Sequence, residues 1–201
     1  MQIAAVLPFA KRRSKVLVSE DFAFVLYNGE IRRYHLEEGA ELSEELYHQI
    51  LNEVLRKRAR ERAFYLLKDK DHTEAEIVKK LREGCYPEEV IREVVTFLKE
   101  HHYIDDVEYG RRYLDCHSRK RSKKRLQFDL RQKGLEREQI EELLEEIEIP
   151  EEQQIRDFLI KKGYDKERTD PREKNRLMMA LARKGFAYET IRNVLGVWLD
   201  T

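Results

Sequence analysis

The feature that most constrains this chain is a pattern it repeats three times. Its template is Leu, three residues, a small residue, a large apolar one, two residues, Glu, one residue, Ile. It is filled by Leu81, Cys85, Tyr86, Glu89 and Ile91, then by Leu130, Gly134, Leu135, Glu138 and Ile140, then by Leu181, Gly185, Phe186, Glu189 and Ile191. Eight residues before each small position stand Ile77, Leu126 and Leu177. The apolar stripe continues beyond each Ile as Val94, Val95, Leu98, as Leu143, Leu144, Ile147, and as Val194, Leu195, Trp198. The small positions lie 49 and 51 residues apart. Self-similarity at such a period marks tandem units that bury their apolar faces by stacking.

Apolar positions three and four apart read as amphipathic helix. Each window is therefore a helix that ends at the small residue, a tight turn and a second helix. Gly134 and Gly185 suit the left-handed position that closes many helices. A further helix precedes each pair, traced by Ala63, Leu66 and Leu67, by Tyr109 and Tyr113, and by Ile155, Phe158 and Leu159. Thr73 with Glu76, Asp105 with Glu108, and Asp170 with Glu173 have capping-box spacing, and Pro171 sits where a first helical residue favours proline. The fold class expected is mostly α, with three stacked three-helix units over residues 61–105, 106–152 and 153–201.

Residues 1–60 follow another rule. "SKVLVSEDFAFVLYNGEIRRYHL" alternates apolar and polar residues at Val16 and Val18 and again at Phe22, Phe24 and Leu26, which predicts a small β-meander. Glu20-Asp21 is expected to make its first turn and Asn28-Gly29 its second, as a tight hairpin. Gly39 breaks the run, and Ser43 is expected to cap a helix carrying Leu46, Ile50 and Val54.

The segment "CHSRKRSKKRLQFDLRQKGLEREQIEELLEEIE" sets a basic block against an acidic one. The repeat accounts for both. They are the two helices of the second window, so the targeting-signal reading loses. Forty basic residues balance forty acidic ones, so attraction to a polyanion must come from local clustering. A charged fraction of 40% suits an elongated helical protein with much solvated surface. The two cysteines, Cys85 and Cys116, form no CxxC pair and fit a reducing compartment. "MQIAAVLPFAKRR" carries its basic residues after a short apolar run, a poor signal peptide, and no segment approaches membrane-span length. A cytoplasmic protein without membrane contact is expected.

The stretch "HYIDDVEYGRRYLDCHSRKRSKKRLQFDLRQKGLEREQI" resembles the RecX family of RecA regulators, in which a Tyr-Ile-Asp-Asp turn leads through a helix to a basic Leu-rich helix closing on Lys-Gly. "RAFYLLKDKDHTEAEIVKKLREGCYPEEVI" resembles the family's first repeat, and "EDFAFVLYNGEIRRYHLEEGAEL" the N-terminal extension of its longer members. The likeness spans roughly residues 14 to 200. Cys85 departs from it, standing where the family usually has Gly. The resemblance implies a non-enzymatic protein, expected to be a monomer, whose repeats form an elongated curved rod. That rod would lodge in the groove of the RecA filament on single-stranded DNA. There it would block filament growth, ATP hydrolysis and strand exchange, with direct DNA binding at most weak.

Between His117 and Lys133 stand eight Lys or Arg residues against one Asp. Lys120, Lys123, Lys124, Gln127 and Arg131 are expected along one stripe of a helix whose core face holds Leu126 and Leu130. Arg119, Arg121, Arg125 and Lys133 extend the positive surface. Such a patch neutralises phosphates or meets an acidic protein surface. The plain alternative is a solvated face balanced by the Glu-rich helix that follows, where Glu141, Glu142, Glu145 and Glu146 alternate with Ile140, Leu143, Leu144 and Ile147. "RKRARER" from Arg56 to Arg62, and Arg172, Lys174, Arg176, Arg183 and Lys184, are expected to extend the basic face.

Other chemistry finds little support. His101 and His102 are adjacent and point to different helix faces, a poor chelating pair, and Asp105 is already used as a cap. No metal or cofactor is expected. GxxxxGK[ST] and GxGxxG are absent, and no Ser or Cys sits in a nucleophile context, so no catalytic residue is named. Tyr103, Tyr109 and Tyr113 could stack on bases, but Tyr109 and Tyr113, four apart, read first as core, as does Trp198. The rival to a filament modulator is a stand-alone helical DNA-binding module gripping phosphates with the same basic face.

Overall fold

A computed structural model describes residues 1–19 and 22–196, and these fall into two compact units divided between Asp105 and Asp106. The expected Glu20-Asp21 turn and Trp198 lie outside the described residues.

In the first unit, β1 (Ile3–Ala10), β2 (Arg13–Val18) and β3 (Phe22–Tyr27) form an antiparallel meander in that order. Val16 faces Phe24 across β2 and β3, and the two pair with Val6 of β1 to seal one face of the sheet against the core. The meander therefore exists, but it is built from residues 3–27 and not 14–36. β1 carries no period-two signal because "IAAVLPFA" does not alternate, and its Pro8 is tolerated because β1 is an edge strand.

The expected hairpin at Asn28-Gly29 is replaced by helix α1 (Asn28–Arg33). Two local interactions favour the helix. The Glu30 carboxylate accepts a 2.8 Å bond from the Tyr27 amide, and the Asn28 side chain is taken up by the Ser14 hydroxyl at 2.9 Å. Ile31 and Tyr34, three apart, reach the core together only on a helix, whereas strand alternation would have turned charged Arg33 inward.

Ser43 caps α2 (Glu44–Ile50), its hydroxyl accepting from the Leu46 amide at 3.2 Å. The chain then passes through a π-helical turn (Leu51–Leu55) into α3 (Arg56–Leu67). Tyr47, Leu51, Leu55, Ala59 and Ala63 are all buried at a spacing of four. That spacing drifts off the face of a 3.6-residue helix, and one wider i→i+5 turn corrects the drift. Helices α4 (Glu74–Glu83) and α5 (Glu88–Glu100) complete the first repeat. Sheet, long helix and repeat share one core. They are stapled by Tyr47 Oη donating to Glu89 at 2.8 Å and by the Arg58–Glu30 ion pair at 2.6 Å.

The second unit holds α6 (Asp106–His117), α7 (Lys123–Gln132) and α8 (Arg137–Glu145), then α9 (Glu151–Lys161), α10 (Pro171–Arg183) and α11 (Tyr188–Leu195). Each trio wraps its own core, Leu114, Leu126, Leu130, Leu135 and Ile140 among others in one, and Ile155, Leu177, Leu181, Phe186 and Ile191 among others in the next. Each fully buried Leu or Ile contributes about 2–3 kcal/mol.

The repeat template has a shared backbone origin. In each window the small residue's amide returns to the carbonyl three before it, and the next amide returns to the template Leu. Tyr86 to Leu81 is 3.2 Å, Leu135 to Leu130 is 3.2 Å and Phe186 to Leu181 is 3.4 Å. This is the Schellman closure, which needs a left-handed residue. Gly134 and Gly185 both have φ 91°, and Cys85 adopts φ 55°, so the departure at Cys85 leaves the turn's geometry intact. The template Glu lies in the first turn of the second helix, where the amide ends favour a carboxylate.

Candidate functional site

The basic segment folds as a corner and not as one continuous stripe. Helix α6 ends at His117. The amides of Lys120 and Arg121 turn back to the His117 carbonyl, at 2.9 and 3.1 Å. Ser122 then starts α7, its hydroxyl accepting from the Arg125 amide at 3.3 Å. Arg119 and Lys120 therefore stand in the turn, and only Lys123, Lys124, Gln127 and Arg131 of the expected stripe ride on the helix. Ser122 was the overlooked signal, because a Ser inside a basic run is an N-cap before it is a spacer.

The eight cations sort into two groups. Arg119, Lys120, Lys123, Lys124 and Arg131 are exposed and, among the described residues, make no ion pair. Arg121 and Arg125 converge on Asp129, the segment's one acid, which is only 9% exposed. Arg121 Nη1 stands 2.5 Å from Asp129 Oδ2, and Arg125 Nε 3.0 Å from Oδ1. Arg121 also donates to the Tyr113 hydroxyl and lies 5.8 Å above that ring. Lys133 sits 5.9 Å over Tyr109.

Tyr109, Tyr113 and His117 form a ladder along α6. The Tyr109 and Tyr113 rings are 6.4 Å apart and the Tyr113 and His117 rings 4.2 Å, both pairs nearly parallel. The tyrosines pack half-buried against the core, as their spacing predicts. Burial, followed by the Asp129 charge, pushes the Tyr113 phenol up from its ordinary value.

A polar junction joins the corner to the third repeat. The Ser122 hydroxyl donates to the Lys184 carbonyl at 2.9 Å, and the Lys123 amide donates to Glu151 Oε1 at 2.7 Å. The Gln154 side chain donates to the carbonyls of Ser118, at 2.7 Å, and Arg121, at 3.3 Å. Lys184 is thereby brought beside the start of α7. Arg172 sits at the opposite end of the 13-residue α10, on the order of 15 Å away. Lys174 is spent on the Lys166 carbonyl at 2.7 Å and Arg176 on Glu173 at 3.4 Å, while Arg183 is exposed.

The arginines of α3 are largely engaged within the first unit. Arg56 pairs with Glu93 at 2.6 Å and Arg58 with Glu30. Arg58, Arg60 and Arg62 lie over Tyr27, Phe97 and Tyr65. The acidic helix α8 is amphipathic as its sequence predicts, with Glu141 and Glu146 paired to Arg137 and Arg111. His101 Nδ1 is 2.9 Å from the Phe97 carbonyl. Among the described residues no three His, Cys, Asp or Glu side chains gather as a metal would require, and no helix is long and apolar enough to cross a membrane.

Comparisons with known proteins agree with this architecture. The family model for the first three-helix domain of RecX matches residues 59–98, and that for its third three-helix domain matches residues 150–195. The regulatory protein RecX of Caldanaerobacter subterraneus subsp. tengcongensis is 30% identical over 183 residues, covering 90% of this chain and 91% of that one. Its counterpart in Clostridioides difficile is 26% identical over 192 residues, 94% of this chain and 90% of the relative. A crystal structure of a regulatory protein RecX superposes with a TM-score of 0.65 at 24% identity, over 96% of this chain and 98% of that chain. RecX from Lactobacillus salivarius gives 0.58 at 20% identity, over 70% of this chain and 94% of its own. At those identities the two structures speak for the fold alone.

Proposed function

The chain belongs to the RecX family, and from that premise we propose that it is a non-enzymatic negative modulator of RecA recombinase. It binds in the groove of the RecA–DNA filament and restrains filament growth, ATP hydrolysis and strand exchange, and so acts in recombination and the SOS response. In this reading it works in the cytoplasm as a monomer. Residues 1–60 extend the first repeat, and 61–105, 106–152 and 153–201 are the three repeats.

The observation that carries the reading is a group of five exposed cations running from the α6–α7 corner along α7, which among the described residues make no ion pair, in a chain whose net charge is zero. With no net charge to draw it to polyanions at large, the protein relies on where its positive charge sits. Arg119, Lys120, Lys123, Lys124 and Arg131 are the contact groups, and Arg121, Arg125 and Lys133, held by Asp129 and Tyr109, shape the surface that presents them. A partner with repeating subunits strengthens such binding, since a second contact at fixed spacing is effectively intramolecular. Inhibition by occupancy needs no bond-making.

The test is hydrolysis of ATP by RecA on single-stranded DNA with substoichiometric protein. The wild type should suppress it, and the triple variant Lys120→Glu, Lys124→Glu, Arg131→Glu should not. Suppression by the folded triple variant, equal to that by wild type, would remove the basic corner from the mechanism.

A further inference from the structure

Asp129 presents a puzzle that the family reading leaves open. It is the one acid among eight bases, it is buried, and it holds two arginines where one would neutralise it. Arg121 reaches it from the turn before α7 and is held a second time by the Tyr113 hydroxyl. Arg125 reaches it from one turn earlier on the same helix. The trio carries one net positive charge in place of two, and both guanidiniums are committed to a carboxylate inside the corner.

We propose that Asp129 is a specificity-determining residue of the basic corner. By holding Arg121 and Arg125 it keeps them from neutralising phosphates, which lowers the corner's affinity for bare nucleic acid while leaving the exposed cations free for a shaped partner. The proposal rests on the corner being the contact surface, and it adds how that surface discriminates. Phosphate binding scales with the number of cations free to displace counterions, whatever the sequence or shape of the strand. A filament groove selects by geometry as well. Sequestering two arginines therefore costs bare-strand binding more than filament binding.

The probe is a single-stranded oligothymidylate, with binding followed against salt. Asp129→Asn keeps the side chain's shape and releases both guanidiniums. Its log–log salt slope should steepen by about 0.7 per arginine freed, up to about 1.4 in all. Between about 50 and about 200 mM salt that is about sevenfold more affinity lost than by wild type. If Asp129 only braced the turn, the variant would lose stability with no steepening. An equal or shallower slope in the folded variant, or no binding by either protein, overturns the proposal.

If Asp129→Asn does not fold, two variants of the intact corner decide. Lys124→Gln should flatten the slope by about 0.7 and Arg125→Gln by clearly less. Equal flattening overturns the proposal. The RecA hydrolysis test is read separately, so a failure of the modulator reading and a failure of this one are distinguishable.

Discussion

The Ser122 hydroxyl is shared between two helices, accepting from the Arg125 amide that opens α7 and donating to the carbonyl of Lys184 where α10 closes, 2.9 Å away. One side chain that is only 1% exposed thus satisfies the start of one repeat's helix and the end of the next repeat's. The contact leaves no room beside it. A Cβ on Gly185, already at φ 91°, would stand 2.7 Å from Ser122 Oγ.

Gly185→Ala should therefore cost about 2–3 kcal/mol, combining left-handed strain with the clash. Gly163→Ala, also at positive φ but with nothing within 4 Å, should cost about 1 kcal/mol. Ser122→Ala should lose about 2 kcal/mol, one part cap and one part junction. Thermal unfolding followed by circular dichroism should rank the three in that sense, with a fall of about 2–4 °C per kcal/mol. Equal costs for the two glycine variants would mean that the junction is not formed.

Gly110 lies buried on α6, where a Cβ would meet Leu143 Cδ1 at 2.4 Å and Leu135 Cδ2 at 3.0 Å. Its helix has no turn there, so the glycine serves close approach to α8. Gly110→Val should destabilise by about 2 kcal/mol through overpacking. Urea titration should show a lower midpoint with an unchanged slope. A midpoint equal to wild type would contradict the packing described.

The phenols of Tyr47, Tyr86, Tyr113 and Tyr164 are all pushed up from the ordinary value, chiefly by burial, and Tyr47 is pushed furthest, with the Glu89 carboxylate adding to the effect. Unfolded tyrosines ionise at about pH 10. Above that pH the unfolded chain gives up protons that the native protein still holds, so stability is full below about pH 10 and falls as pH rises beyond it. Tyr47→Phe removes the largest share. It should lose about 1 kcal/mol at neutral pH with the Glu89 bond and then decline more slowly than wild type between about pH 9.5 and about pH 11. An identical decline would place Tyr47 in solvent.

Most of the helical architecture was legible because one physical requirement recurs three times. Leu81, Leu130 and Leu181 are buried, and the residue four beyond each must be left-handed, which fixes both the apolar spacing and the small residue. The N-terminal sheet was read only in part. Period-two alternation located β2 and β3, but β1 alternates poorly, and Asn28-Gly29, a common hairpin dipeptide, was claimed by the Glu30 carboxylate for a helix start. At the basic corner, composition named the eight cations but not their division. That division rests on Ser122 as a cap and on Asp129 four residues after Arg125, both local signals that the density of positive charge concealed.

On the proposed function, the corner recognises a RecA filament and not nucleic acid as such. The most direct measurement compares binding of the purified protein to single-stranded DNA with and without RecA and ATP, at two salt concentrations. The expected result is tight binding to the RecA-coated strand and weak, strongly salt-sensitive binding to the bare one. Equal affinity for both, with no effect on RecA hydrolysis, would contradict it and leave a helical nucleic-acid-binding module in its place.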